Sequence, residues 1–155
     1  MIENSENIQI REILSQDLPS LAKLEAENFT DSWSQEALSD SLSQSYVHFY
    51  GAYKGKELVG YLIFSHIVDE VEIFRIAVRP SCRREGIARI LLEALMTFGK
   101  DRKATRALLD VRESNEPAIL LYKKTGFKED GRRRDFYENP REDAILMSMN
   151  LLEDI

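Results

Sequence analysis

The chain is poor in the residues that make covalent or metal-held scaffolds. Its 155 residues include one cysteine, Cys82, and two histidines, His48 and His66. A single thiol excludes an intramolecular disulfide and a multi-cysteine zinc site. The histidines stand too far apart for a local metal motif and have no acidic partner at ligand spacing, so both read as structural, and no metal is expected. Cys82 sits in a basic stretch that can sharpen a thiol, but no histidine is placed to make it a nucleophile. Proline and glycine number only four and seven. No Pro/Gly-rich linker, internal repeat or low-complexity tract divides the chain, which by length reads as one domain over residues 1–155. No apolar run is long enough to span a bilayer, so no membrane partner is expected. The start, MIENSENIQI, lacks the apolar core of a secretory signal, and residues 1–7 read as a loose tail. Together these absences point to a cytoplasmic protein.

Positive charge is scarce in one half only. The net charge is −6, which argues against direct binding of nucleic acid. Residues 1–75 hold 5 Lys/Arg and 13 Asp/Glu, a balance of −8, whereas residues 76–155 hold 16 and 14, a balance of +2. The second half suits an anionic ligand and the first a cationic one.

Periodicity orders the elements. Residues 8–14 alternate as a strand. Asp17 is placed to cap a helix carrying Leu18, Leu21, Ala22, Leu24 and Ala26. Residues 29–34 read as a loop ending in Ser34, which can cap a short helix with Ala37, Leu38 and Leu42. Residues 46–53 and 58–68 form a hairpin about Gly55-Lys56, and residues 70–78 the next strand. Ile87, Ile90, Leu91, Ala94, Leu95 and Phe98 share one face of a helix that Gly99 can end. A strand at 105–112, a helix capped by Ser114 or Asn115 with Pro117 in its first turn, and strands at 127–137 and 144–151 complete the chain. The order β-α-α-β-β-β-α-β-α-β-β is an α/β (α+β) mixed sheet, mostly antiparallel and flanked by about four helices.

The residues VEIFRIAVRPSCRREGIA, from Val71 to Ala88, carry the most chemistry. A strand breaks at Pro80, a basic loop follows, and a helix starts near Gly86. The helix N-terminus offers backbone N–H groups and a favourable dipole to a phosphate. Gly86 lets a ligand approach closely. Arg79, Arg83, Arg84 and Arg89 gather there in an otherwise acidic protein. The loop lacks the Gly-Lys-Ser/Thr ending of a nucleoside-triphosphate site.

Arg83-Arg84-Glu85-Gly86-Ile87-Ala88 resembles the (Q/R)xxGx(G/A) pyrophosphate loop of the GNAT acyl-CoA N-acetyltransferases. IFRIAVRP, LLDVRESNEPAILLYKKTGF, RRRDFY and REDAILM, in that order, extend the resemblance over residues 8–151, and most nearly to the RimI-type ribosomal-protein alanine N-acetyltransferases. The resemblance implies the GNAT fold, acetyl-CoA as cosubstrate and a protein N-terminus, that of a ribosomal protein, as acceptor. It assigns Ile76, Ala77, Val78, Arg83, Arg84, Glu85, Gly86, Ile87, Ala88, Arg89, Asn115 and Tyr122 to the cofactor, with the Val78 backbone on the pantetheine arm. Tyr122 resembles the general acid. Trp33, Phe136 and Tyr137 resemble the acceptor-side aromatics, with Phe136 where relatives carry tyrosine. Arg132, Arg133 and Arg134 read as a solvated strand edge.

The base has two candidates. RimI-type chains carry a glutamate in an LEVR segment, and here the segment is LDVR with Asp110, one methylene shorter. Glu72 lies six residues before Val78, where the wider family places its base. Simple alternation puts Glu72 on one face with Phe74, Ile76 and Val78, an apolar setting that raises a carboxyl pKa. A water relay between the two acids is the third arrangement. An α-amine has a pKa of about 8 against about 10.4 for lysine, so it asks little of a base. Two other functions stay open at this stage: a small-molecule amine acetyltransferase and a non-catalytic acyl-CoA-binding module.

Overall fold

The structure is a computed structural model that describes residues 7–152. All but one residue of the expected tail therefore lies outside the described residues. Among these, no helix is long and apolar enough to cross a membrane.

Seven strands form one sheet: β1 Ile8–Glu12, β2 Val47–Lys54, β3 Glu57–Ile67, β4 Glu70–Val78, β5 Arg106–Arg112, β6 Lys128–Tyr137 and β7 Glu142–Asn150. Their order is β1-β2-β3-β4-β5-β7-β6. The four α-helices are α1 Leu18–Asn28, α2 Gln35–Leu42, α3 Ile87–Asp101 and α4 Glu116–Thr125, with short 3-10 turns at Ser15–Asp17 and Pro80–Cys82. The mixed, mostly antiparallel sheet and its four helices match the expected fold class. Element ends differ from the sequence reading by a residue or two, as fraying ends do.

Each face of the sheet buries its own core. Leu62 and Phe64 of β3 and Val71 and Ile73 of β4 meet Ile87, Leu91, Leu92 and Leu95 of α3. On the other face, Tyr61 and Ile63 meet Leu21, Leu24 and Leu38 of α1 and α2. His48 and His66 pack at the edge of the α3-side core. Both rings lie against Phe98, 4.7 and 5.6 Å between centroids.

Three local expectations change. Helix α3 does not stop at Gly99 but runs to Asp101. Gly99 is instead a packing glycine, since a Cβ there would stand 2.8 Å from Leu151 Cδ1. Asp17 precedes α1 without capping it. Its carboxylate accepts from the Leu14 N–H at 3.0 Å and the Tyr53 hydroxyl at 3.2 Å. On α1 itself Ala26 is exposed and Glu25 is buried in its place. The expected caps Ser34 and Asn115 do form, accepting from the Ala37 and Ala118 N–H groups at 3.0 and 3.3 Å.

The pairing of β4 sets up everything that follows. A bulge opposes Ile63 to Arg75 but Phe64 to Ile73, leaving Phe74 as the extra residue. A bulge re-aims the side chains beyond it. Ile76 and Val78 therefore share a face with Val71 and Ile73, and Glu72 lies on the opposite face. This corrects the simple alternation, which cannot see an inserted residue. The only parallel pair in the sheet, β4 with β5, holds register over just Glu70–Ile73 and Arg106–Leu109. Beyond it β4 runs on to Val78 against β3, and β5 to Arg112 against β7, but the two no longer pair with each other.

Candidate active site

A cleft of about 700 Å³ opens where the half of β4 that has parted from β5 faces α3, α4 and the end of α1. Its wall includes Ile76, Ala77 and Val78 from β4, Arg83, Arg84 and Gly86 from the loop, and Ile87, Ala88 and Arg89 from α3. Asn115 and Tyr122 close the far side. Eleven of the twelve residues expected at a cofactor thus line one cavity. The exception is Glu85, whose carboxylate turns away to Lys54 Nζ at 2.8 Å.

The loop is built to present backbone donors. Arg84 and Gly86 have φ of 70° and 80°, in the left-handed region that suits glycine. Gly86 immediately precedes α3, whose first-turn N–H groups have no acceptor within the helix. Arg83 is braced by its Nε donating to the Val78 carbonyl at 3.3 Å and its Nη2 to Asn28 Oδ1 at 2.5 Å. A row of free amides flanked by Arg84 and Arg89 fits the pyrophosphate of a coenzyme A thioester, and the apolar Ile76–Val78 wall fits its acyl-bearing arm.

Tyr122 stands at the inner end of this cleft, packed edge-on against Phe127 with 5.8 Å between centroids. Burial pushes its phenol pKa up, and the nearby Tyr137 pushes it further. Tyr137 belongs to a second, charged region on the α1 side of the sheet. Its own phenol is pushed up to about 12, first by burial and then by Asp110.

Glu72 and Asp110 lie near one another on that face, since β4–β5 pairing sets Glu72 opposite Leu108, two residues before Asp110. Burial raises both pKa values above the ordinary carboxylate range. The charge of Asp110 raises Glu72 further, and the Arg133 guanidinium opposes both shifts. Phe136 packs edge-on against Tyr137 with 5.0 Å between centroids and is partly exposed. Trp33 lies half-buried in the residue 29–34 loop, under the Arg75 guanidinium at 4.7 Å.

Residues 9–127 match the Acetyltransferase (GNAT) family. The chain belongs to the GNAT family. Over 135 residues it is 35% identical to the ribosomal protein bS18-alanine N-acetyltransferase of Escherichia coli K12, covering 86% of this chain and 90% of that one. It is 33% identical to the N-alpha-acetyltransferase RimI of Mycobacterium tuberculosis, over 95% of each chain. Among solved structures it is similar to the ribosomal-protein-S18-alanine N-acetyltransferase from Escherichia coli, with a TM-score of 0.88, 29% identity and 96% of each chain covered. It is an acetyl-CoA-dependent N-acetyltransferase.

Residues to which the sequence motifs assign no role also build this region of the GNAT chain. Asn28, Phe29, Cys82, Pro117, Ala118 and Leu121 complete the cleft. Cys82, on the sequence side only a basic-loop thiol, is a buried wall residue. Glu25 and Arg75 form a largely buried pair beside Trp33. A signal for Glu25 did exist: it falls one turn after Leu21, on the apolar stripe of α1. Arg112 anchors the β6–β7 turn, donating to Glu138 O at 2.9 Å and Pro140 O at 3.0 Å. Strand β6 is an edge as expected, but its arginines are not all simply solvated. Arg132 pairs with Glu113 at 2.6 Å and Asp143 at 3.1 Å.

Proposed function

We propose that this enzyme acetylates the N-terminal α-amine of a protein, the acceptor being the N-terminal alanine of a small-subunit ribosomal protein. The observation that carries this reading is the break in β4–β5 pairing, which opens the cation-lined cleft onto the face where Glu72 and Asp110 meet. The named substrates of the relatives supply the identity of the acceptor. A ribosomal acceptor implies a cytoplasmic reaction.

In this reading the pyrophosphate of acetyl-CoA takes the amides of residues 83–89, and the Val78 backbone takes the pantetheine arm. Asn115, already capping α4, also contacts that arm. The amine enters from the side of Trp33, Phe136 and Tyr137. Its nitrogen attacks the thioester carbonyl carbon, and the nitrogen proton passes to Glu72 or Asp110 through a water relay. Their raised pKa values bring them closer to the amine, which improves proton acceptance near neutral pH. The C–S bond then breaks, and the departing thiolate takes the Tyr122 phenolic proton. Burial keeps that phenol protonated until the sulfur charge develops.

A thiol-release assay tests the reading, with acetyl-CoA and either peptides beginning Ala-Arg or free polyamines. Peptides should give the higher kcat/KM. A preference for polyamines would assign the enzyme to small amines, and no thiol release with any amine would leave a binding module.

A further inference from the structure

The acceptor side is floored by a buried charge pair that the reaction itself does not need. Glu25 is fully buried in α1. Its carboxylate accepts from Arg75 Nε at 3.1 Å, from the Trp33 backbone N–H at 2.9 Å and from the Tyr61 hydroxyl. Arg75 Nη2 completes the ion pair at 3.0 Å and also donates to the Asp31 carbonyl at 2.9 Å. The same guanidinium lies 4.0 Å from the Phe29 ring centroid and 4.7 Å from that of Trp33. One ion pair therefore grips Phe29, Asp31 and Trp33, three residues of the loop between α1 and α2. Arg75 reaches this position because it follows the extra residue of the β4 bulge, which turns it toward the α1 face. The loop also touches the β6–β7 turn, where Thr30 Oγ1 donates to the Asn139 carbonyl at 3.4 Å.

Core stability alone would not select such an arrangement. A buried ion pair repays its desolvation poorly, and an apolar pair of similar volume often packs as well. What Arg75 supplies and a hydrophobe cannot is a planar fork that bonds a carboxylate and a loop carbonyl while stacking on two rings. We infer that Glu25 and Arg75 are positioning residues for the acceptor: the pair holds the residue 29–34 loop, with Trp33, in the shape that receives the amine. The inference rests on the acceptor entering beside Trp33, as in the proposed function.

Arg75→Met, Arg75→Lys and the double variant Glu25→Gln/Arg75→Met separate positioning from packing. Kinetics use whichever amine the wild type turns over. Arg75→Met should raise the acceptor KM by roughly tenfold, since small misplacements of substrate are costly. The Kd for acetyl-CoA should change by less than the acceptor KM, since Arg75 reaches the cofactor cleft through its contact with Phe29 alone. Arg75→Lys keeps the charge and loses the fork, so it should recover only part of the loss. The double variant removes both buried charges and should regain thermal stability without regaining the acceptor KM. Trp33 is the only tryptophan in the chain, so its fluorescence reports on the loop without any turnover. Acrylamide should quench it more strongly in Arg75→Met and in the double variant. An unchanged acceptor KM in Arg75→Met, or its recovery in the double variant along with stability, would overturn the inference. If the wild type acetylated no peptide, the proposed acceptor would fall, while unchanged Trp33 quenching would independently remove the loop role.

Discussion

In the proposed function, the two ends of the reaction path are built from different materials. The cofactor end is backbone: a strand edge released from β5, two left-handed residues and a helix N-terminus, with arginines for charge. The acceptor end is side chains: Glu72, Asp110, Tyr137, Arg75, Arg112 and Trp33, drawn from β4, β5, β6 and a loop. The amides of a loop and helix start need no neighbours to set their aim, so that end is nearly self-contained in sequence. Paired and opposed charges take their properties from each other. The acceptor end therefore depends on how distant strands are brought into register.

The largest test of this division falls where the two ends meet. Tyr122→Phe should lower kcat by about a hundredfold, within the range for losing a general acid, while the Kd for acetyl-CoA changes little. Normal turnover in a rapid-quench assay would show Tyr122 to be only packing. Next come the two acids. At pH 7 roughly a tenth of α-amines is already neutral, so a base acting only by capturing the amine proton contributes about tenfold at most. Glu72→Gln and Asp110→Asn should each cost up to that, with the double variant little worse than either. Asp110→Glu should retain or raise activity. Because both pKa values are raised, the acidic limb of the wild-type pH–rate profile should lie above the ordinary carboxylate range and flatten in the double variant. An unchanged profile would mean that the enzyme simply selects neutral amine.

On the cofactor end, Gly86→Val should weaken acetyl-CoA binding by about tenfold, equivalent to about 1.4 kcal/mol. The reason is conformational rather than steric. Gly86 has φ +80°, yet nothing lies within 4 Å of where a Cβ would stand. Equal affinities by calorimetric titration would take the loop out of the site. The smallest effect is on stability. A carboxyl whose pKa is raised on folding binds its proton more tightly in the folded state. Its contribution therefore declines as pH climbs from the unfolded pKa through the raised one. Above that window the cost is complete, so Glu72→Gln and Asp110→Asn should each raise Tm at pH 7. A scanning calorimeter decides it, and a lower Tm in both would show that these carboxylates stabilise the fold.

The same contrast explains what could be read from the sequence. The loop, the α4 cap at Asn115 and the helix carrying Tyr122 are local, and each lies where its residue pattern says. Glu72 and Asp110 were visible as acids. Their nearness entered only as one of three arrangements for the base, because the parallel pairing behind it joins strands separated by a whole helix. The bulge at Phe74 was invisible for a related reason. One extra residue leaves composition and spacing intact yet reverses which side chains face α3. Arg75 was hidden behind it, and Glu25 behind the expectation that a charged residue on a helix faces water.

The short β4–β5 pairing has a mechanical consequence. The sheet is two plates, β1 to β4 and β5 to β7, joined by a four-residue hinge at Glu70–Ile73 and Arg106–Leu109. The second half of β4 is thus an edge in the middle of a sheet, and a ligand lying along it acts as the missing strand. Without ligand, those amides of residues 74–78 that point away from β3 should exchange with solvent faster than the amides of residues 70–73. Bound acetyl-CoA should slow them toward the rate of the hinge, fastening the two plates together at the moment the acceptor arrives.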